Sequence, residues 1–433
     1  MTNKFRAVEM KLAWRQDWLD TRDGLNLREN TLVFIVTALA IVSRLPSLFL
    51  HPQFYAEDGA VWYLQAYQGG WLRSLTIPNV GYLTTLPRLG AGLSLLVPFR
   101  WAPLVMNLFG LLVQCVPVTV LLSQRCKSFG PLSLRAAFAL FYIISPNAFE
   151  LHVVDTNTQW HLTLAVALLS FAEPPSSWVG RVFDIVVFAL VGLSAPFCIV
   201  LAPLVLVFFW FRRHSWSLVQ AGILGLSALI QIAMIHSSPT RTTGTLGANL
   251  PRFLRIFGGN VIGASIFGAF GIGKYAPMIL IVLASVGGAV LYFYVLRFSS
   301  LEIKLFTLFG LGIFLASLRS PLVPPNVPPW QSLVYASGNR YWYFPMMAFL
   351  WGVIWCFRFA PHAIFRRLAA YTLVLSMIGV VAQWEYRPYP DLDFADSAQR
   401  LREAKAGTSV IIRIIPVPWE MTMIKRGPAG SDR

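Results

Sequence analysis

The sequence predicts an all-α polytopic membrane protein with about eleven transmembrane helices. Of its 433 residues, 56% are hydrophobic and only 12% are charged, whereas soluble domains carry about 25% charged residues. Several apolar runs approach the roughly 20 residues that a helix needs to cross a bilayer. Because these runs are continuous rather than alternating, they indicate helices and not the strands of a membrane barrel.

The charged residues support the same class. The formal net charge is +16, and the basic residues form short clusters between the apolar runs, as the positive-inside rule describes for cytoplasmic loops. No nucleic-acid motif accompanies them, so the bilayer and not a nucleic acid is the expected partner. The four cysteines form no CxxC pair, which indicates neither a zinc site nor a disulfide framework.

The chain divides into three parts. Residues 1–30 form a basic leader that we expect in the cytoplasm. Residues 31–383 hold the helices, interrupted early by a long external loop at 51–100. Residues 384–433 form a short external segment. The first apolar run is expected to remain as an uncleaved helix, because its leader is long and no small-residue cleavage site follows it.

The predicted spans come from hydropathy and charge taken together. Residues 82–98 are ambiguous, but a span there would place Arg125, Lys127, Arg212 and Arg213 outside, so they are interpreted as part of the external loop. The predicted spans are 31–50, 101–122, 136–149, 160–172, 184–193, 195–211, 218–235, 277–296, 305–318, 343–357 and 368–383.

The final segment is predicted to be a small external α/β appendage. DSAQRLREAKAG has the pattern of an amphipathic helix that ends at Gly407. TSVIIRIIPVPW has the pattern of a strand stopped by proline. The segment is too short to form an independent domain.

Two adjacent acidic residues, Glu57 and Asp58 in the sequence YAEDG, are the first candidates for chemistry. Acidic residues number only 19 in the chain, and these two lie beside an aromatic-rich interfacial stretch. A carboxylate at the membrane surface can deprotonate a sugar hydroxyl and make it a better nucleophile. A solvated loop charge or a helix cap is the alternative interpretation.

The predicted outer turn ELHVVDTNTQWH, residues 150–161, is the second candidate. Polar side chains at the edge of a bundle usually face protein or a water-filled cavity, so a substrate-binding role and a capping role both stay open. Its two histidines lack a partner at i+4, and no metal site is predicted. The candidate binding residues are His152, Asp155, Asn157, Gln159, Trp160 and His161.

External arginines are the third group, since they run against the positive-inside trend and need an anionic partner. A lipid-linked phosphate would suit the planar guanidinium fork; a lipid headgroup or a protein carboxylate is the alternative. Arg340, followed by Tyr341 just before a span, is the best single candidate. The group comprises Arg88, Arg241, Arg252, Arg255 and Arg340.

The layout resembles the GT-C superfamily of membrane glycosyltransferases, and more narrowly a group of bacterial GT-C-like membrane proteins. The segments that carry the resemblance are YAEDGAVWYLQAY, GYLTTLPRL, NTQWHL, GLSAPF, NRYWYFP and IIPVPWEM.

The resemblance implies a transferase of the bacterial inner membrane, with the N-terminus cytoplasmic and the C-terminus extracytoplasmic. Its donor would be a sugar on a polyprenyl phosphate, and its acceptor an unknown glycan, lipid or protein. Asp58 would be the catalytic base with Glu57 second, and Arg340, Arg88 and His161 would contact the phosphate. No cofactor is predicted, and a divalent cation stays open.

Three other functions compete with this interpretation. A polysaccharide polymerase or ligase commonly has a large late loop, but the late loop of this chain, residues 319–341, is short. A transporter or flippase of lipid-linked sugars often has inverted repeats and mid-membrane charges, and neither is visible. A non-catalytic scaffold would need no clustered external carboxylates.

Overall fold

The computed structural model describes residues 20–238, 245–268, 271–323, 327–335 and 338–427, and most of them are helical. The α-helices of its first half are α1 (Leu27–Arg44), α2 (Ser47–Leu50), α3 (Leu64–Gly69), α4 (Trp71–Ser74), α5 (Thr85–Ser94), α6 (Ala102–Leu122), α7 (Leu132–Ile144), α8 (Thr158–Ser170), α9 (Trp178–Gly192) and α10 (Cys198–Arg212).

The second half adds ten α-helices within the described residues and two strands. These are α11 (Ser215–Ser237), α12 (Leu250–Leu254), α13 (Ala264–Phe267), α14 (Ile272–Tyr275), α15 (Met278–Phe298), α16 (Leu301–Arg319), α17 (Pro329–Val334), α18 (Tyr343–Phe359), α19 (Ala363–Ala382), α20 (Phe394–Glu403), β1 (Ser409–Arg413) and β2 (Glu420–Ile424). Segments Asp58–Tyr63 and Arg255–Gly263 are π-helical, and 3₁₀ turns occur at Phe99–Trp101, Gln124–Phe129, Phe149–Leu151, Asp155–Asn157 and Asn339–Trp342.

Five helices among the described residues are long and apolar enough to cross a membrane: α6 with its preceding turn, α11, α15, α16 and α19. Only 28%, 33% and 22% of the apolar windows of α11, α15 and α19 are buried inside the protein. Apolar helices that turn most of their surface outward are typical of a lipid environment rather than water. The full count of eleven spans stays a prediction.

The ambiguous segment 82–98 contains only the ten-residue helix α5, which at 1.5 Å per residue is about 15 Å long and too short to cross a bilayer. The first helix also differs from the prediction, since α1 ends at Arg44 and α2 resumes after Pro46. Arg44 explains the fixed position of this break. Its buried guanidinium donates to the carbonyls of Ile143, Ser145 and Gln383 and so ties α1 to the ends of α7 and α19.

Helices α8 and α18 form the centre of the bundle. All 13 residues of α8 are buried, and α18 is buried from Tyr343 to Cys356. Around them, α6 packs against α1, α5, α7 and α8, while α18 packs against α16 and α19. The turn that leads into α8 is therefore held from several sides, which matters for the side chains that it carries.

The C-terminal segment is a helix and a β-hairpin that pack on the first loop. The predicted amphipathic helix is α20, and the predicted strand is β1, but β1 pairs antiparallel with β2, which the sequence did not predict. Phe394, Ile412 and Met423 pack with Phe54 and Trp62 in one apolar cluster. The backbone of the hairpin also bonds to the loop, since the Ile415 N–H donates to the Phe54 carbonyl at 3.1 Å.

Candidate functional site

Asp58 is buried at the start of the π-helical segment, with 2% of its surface exposed. Its carboxylate accepts the backbone N–H of Asp155 on Oδ2 at 3.2 Å and that of Thr156 on Oδ1 at 2.7 Å. Those two N–H groups belong to the 3₁₀ turn before α8 and have no partner inside the turn. Asp58 therefore joins the YAEDG loop to the start of the central helix, as the capping alternative required.

Asp155 is not explained by capping. It is fully buried, and neither of its carboxyl oxygens has a hydrogen-bond partner among the described residues. The carboxyl group lies on the backbone of α5, where a Cβ added to Gly90 would come within 2.4 Å of Oδ2. Because a buried charge without a partner costs much free energy, this carboxyl group favours its protonated form.

The two carboxyl groups titrate as a pair. Burial raises the pKa of Asp155 well above its usual range, and the charge of Asp58 adds to the shift. Burial also raises the pKa of Asp58, as does Glu57, while the backbone N–H groups of Thr156 and Asp155 oppose the shift. The arrangement therefore favours a protonated Asp155 and a charge on Asp58, which alone has donors.

Glu150, five residues before Asp155 in the chain, forms an ion pair with Arg340. The backbone N–H of Arg340 donates to Glu150 Oε2 at 3.1 Å, and its Nη1 donates to Oε1. Arg340 therefore has a protein carboxylate as its anionic partner, which was the alternative to a lipid-linked phosphate. The guanidinium carries five N–H donors, and its other donors make no hydrogen bond within the described residues.

Tyr55 connects the two groups. Burial raises its pKa, and the charges of Glu150, Glu57 and Asp58 add to the shift while Arg340 opposes it. Charges from the YAEDG loop and from the Glu150–Arg340 pair therefore both act on Tyr55. Glu57, Asp58, Asp155, Glu150 and Arg340 are therefore brought to one end of the bundle from three distant parts of the chain.

Tyr389 was missed by the sequence analysis. Its ring lies 5.7 Å from that of Tyr55 and 5.4 Å from that of Phe149. Burial raises its pKa, with contributions from Tyr55, Glu150 and Asp58. A polar tail after the last helix gave no signal for this position, because only the docking of the tail on the loop brings Tyr389 to the site.

Most of the other turn residues face protein. Asn157 donates to the Glu150 carbonyl at 2.7 Å, and His161 contacts the Tyr142 hydroxyl at 2.9 Å and the Leu151 carbonyl at 2.8 Å. These bonds hold the turn and the start of α8 in place.

Three further residues of the turn are also buried. Trp160 stacks on Phe344 with ring centres 5.5 Å apart. His152 packs against Tyr386 at 5.1 Å, and burial, with Arg44 and His161, holds its pKa well below the usual range. Gln159 retains an Oε1 without a partner among the described residues. The structure thus gives these residues positions around the turn, away from direct contact with Asp58.

The other candidate arginines and Tyr341 bond to protein groups. Arg88 is buried, donates to Gln65 Oε1 at 2.7 Å and to the Ile77 carbonyl at 2.8 Å, and lies over the Trp62 ring. Burial lowers its pKa to about 10, so it stays charged at neutral pH. The remaining partners are Gly247 and Gln331 for Arg252, Gly273 for Arg255, and Leu322 for Tyr341; Arg241 lies outside the described residues.

Within the part of the chain that the structure describes, no group of three or more His, Cys, Asp or Glu side chains could hold a metal ion. The candidate site consists of the carboxyl groups, the one guanidinium and the two tyrosines described above. The chain matches no protein-family model, and no curated protein matches its sequence.

Proposed function

We propose that the protein is a membrane glycosyltransferase that transfers a sugar from a polyprenyl phosphate to an acceptor hydroxyl on the extracytoplasmic side. The observation that carries the proposal is the cluster of Glu57, Asp58, Asp155 and the Glu150–Arg340 pair at one end of an apolar helical bundle. The GT-C likeness, the eleven-span layout and the inner-membrane orientation are parts of the same proposal.

In this proposal Asp58 is the catalytic base. Each of its oxygens accepts one backbone N–H, so each retains a lone pair on which a proton can be accepted. Asp58 takes the proton of the acceptor hydroxyl while that oxygen bonds to the anomeric carbon. The bond from the anomeric carbon to the phosphate oxygen breaks, and its electron pair leaves with the lipid phosphate.

Asp155 supports this role by holding a proton itself. A neighbouring carboxyl group that is protonated leaves the charge on Asp58, and burial makes that charge a stronger base than a solvated aspartate. Glu57 is the second candidate for the base, because its side chain is only partly buried. The two are separable by substitution, since only Asp58 accepts the backbone of the turn.

Arg340 is the proposed partner of the donor phosphate. Its contact with Glu150 fixes the guanidinium at the end of the turn, and the remaining N–H donors can bind phosphate oxygens. Charge that develops on the leaving phosphate would then meet a positioned cation rather than water. The apolar helices would hold the polyprenyl chain in the bilayer.

The test is a transfer assay with the full-length protein in lipid nanodiscs. A panel of radiolabelled sugars on short-chain polyprenyl phosphates is offered together with envelope extract as the acceptor source. We expect Asp58→Asn to lower the transfer rate by about 100-fold or more, and Glu57→Gln to lower it less.

Asp396→Asn is the matched control, because it makes the same chemical change on an exposed side chain in α20 and should retain the wild-type rate. Wild-type transfer by Asp58→Asn would remove Asp58 from the role of base. Failure of the wild-type protein to use any donor of the panel would contradict the transferase proposal itself.

A further inference from the structure

A cavity of about 200 Å³ lies between the first loop and the polar tail. Its walls include Leu48, His51 and Gln53 from one side and Tyr389, Asp391 and Ile415 from the other. The cavity shares Tyr389 with the candidate site, but none of the chemical roles proposed above uses its walls.

The walls are fixed by hydrogen bonds between segments more than 300 residues apart in sequence. Gln53 Nε2 donates to the Pro390 carbonyl at 3.0 Å, and the Leu392 N–H donates to Gln53 Oε1 at 2.9 Å. The Ile415 N–H donates to the Phe54 carbonyl. A pocket held in this way is formed before any ligand arrives, which lowers the entropic cost of binding.

The cavity is connected to the segment that carries the proposed base through two tyrosines. Tyr389 forms part of its wall and lies 5.7 Å from Tyr55, centre to centre. Tyr55 precedes Asp58 by three residues, and the charges of Asp58 and Glu150 both act on Tyr389. A ligand seated in the cavity would therefore have one end near the carboxyl cluster.

The wall chemistry narrows the ligand class. The imidazole of His51, the hydroxyl of Tyr389 and the carboxyl group of Asp391 supply donors and acceptors, while Leu48 and Ile415 supply apolar surface. That combination suits a sugar ring, whose hydroxyl groups need hydrogen bonds and whose C–H faces pack on aromatic and apolar groups.

The charge and the volume of the cavity narrow the ligand class further. The residues that line the cavity include no lysine or arginine among those described, and Asp391 adds a carboxyl group, so a phosphate or a uronic acid would be repelled. The volume lies below the roughly 300 Å³ at which pockets for drug-sized ligands begin, which suits a single ring.

We propose that this cavity binds a neutral sugar unit of the acceptor, with Tyr389 as the packing surface and Asp391 as a hydrogen-bond acceptor. That the bound sugar belongs to the acceptor rests on the proposed function, whereas the binding of a neutral sugar in this cavity does not. The cavity would hold the sugar so that a neighbouring hydroxyl reaches Asp58.

Binding is tested without turnover by saturation-transfer-difference NMR on the full-length protein in nanodiscs. The probes are glucose, galactose, mannose and N-acetylglucosamine, with glucuronate and glucose 1-phosphate as anionic controls. We expect saturation transfer to at least one neutral sugar, and affinity lowered about tenfold, or 1.4 kcal/mol, in Tyr389→Ala. Asp391→Asn, at an exposed position, keeps the Oδ1 that accepts the Asp393 N–H and should weaken binding. Asp396→Asn, at an exposed position that does not line the cavity, should bind as the wild type does.

A second measurement needs no variant. His51 is exposed and lines the cavity, so a bound neutral sugar should slow its modification by diethylpyrocarbonate, while exposed His236 in α11 reacts at an unchanged rate. Absence of neutral-sugar binding and of His51 protection, or stronger binding of the anionic sugars, would overturn the proposal. Sugar binding in a protein that transfers nothing would leave the cavity assigned and the transferase proposal refuted.

Discussion

The two ends of the helical bundle bury carboxyl groups in opposite ways. At one end, Asp184 and Glu302 are 1% and 0% exposed, and each pairs with an arginine, Arg125 and Arg212 respectively. At the other end, Asp58 and Asp155 are 2% and 0% exposed, yet no arginine among the described residues pairs with either. Helix α6 runs from one end of the bundle to the other. It begins beside the apolar cluster that contains Phe54 and Phe394, and it ends three residues before Arg125.

The difference separates structural carboxylates from candidate functional ones. A buried ion pair compensates most of the loss of solvation, although Glu302 Oε2 has no partner among the described residues. Asp184 and Glu302 therefore need no further role. Asp58 has only two backbone donors, and Asp155 has none among the described residues. Perturbed and uncompensated carboxyl groups concentrate at functional sites, which favours the Asp58 end as the site of chemistry. Single substitutions at the two ends of the bundle test this difference.

The largest effect on stability is expected for Arg125→Ala. Its guanidinium binds both oxygens of Asp184, at 2.7 and 2.8 Å, and its removal leaves a buried charge with the Trp216 indole as its remaining donor. We expect a loss of about 3 to 5 kcal/mol in the free energy of unfolding, measured by thermal unfolding in detergent. Arg367→Ala, at an exposed position in α19, is the control, and equal stability of the two variants would contradict a structural role for the ion pair.

A smaller loss is expected for Gly90→Ala. The new Cβ would meet both oxygens of Asp155 within 2.4 and 2.6 Å, and overpacking of this kind costs about 1 to 3 kcal/mol. The carboxyl pair should be displaced, so transfer activity should fall together with the melting temperature. Gly222→Ala in α11 meets no atom within 4 Å and should cost nothing; an unaffected Gly90→Ala protein would show that Asp155 does not lie on α5.

The smallest effect, but the most specific in sign, is expected for Asp155→Asn. Burial raises the pKa of folded Asp155 above its unfolded value of about 3.8. The folded state therefore binds the proton more tightly, and wild-type stability falls as pH rises from that value through the folded pKa. Asparagine removes this loss, so the variant should melt above the wild type by a margin that widens with pH.

An aspartate-to-asparagine change at the other end of the bundle is expected to have the opposite effect on stability. Asp184→Asn removes a partner of Arg125 and of the Trp216 indole, so it should destabilise the protein at neutral pH. Melting curves of both variants between pH 5 and 9 check the comparison directly. A destabilised Asp155→Asn protein at every pH would mean that the carboxyl group has a partner in the fold.

The sequence was sufficient to predict which residues share an end of the bundle. The positive-inside rule and the order of apolar runs placed Asp58, the 150–161 turn and Arg340 on one face, and the structure brings Asp58, Asp155, Glu150 and Arg340 together. The rule could group these residues because lipid constrains where charged residues can lie, even when no contact between them is predictable; the side of the membrane on which they lie stays a prediction.

Contacts between distant segments could not be predicted from the sequence. The pairing of β1 with β2, the docking of the tail on Phe54 and the position of Tyr389 all depend on tertiary packing. The close approach of Asp155 to Gly90 was equally hidden, because the hydropathy of a turn does not indicate which of its side chains is buried. The predicted span 160–172 corresponds to α8 at Thr158–Ser170, which has the same length but begins two residues earlier. Its complete burial was not predictable, since apolar runs mark burial as readily as a span.

The central claim is that the end of the bundle with Asp58 faces away from the cytosol, and cysteine accessibility tests it most directly. The four native cysteines are buried, so the wild type should react little with a membrane-impermeant maleimide. Gln68→Cys lies at an exposed position in α3, close to Asp58 in sequence, and Arg367→Cys at an exposed position near the opposite end. In intact cells the first should be labelled and the second only after permeabilisation; the reverse pattern would contradict the account.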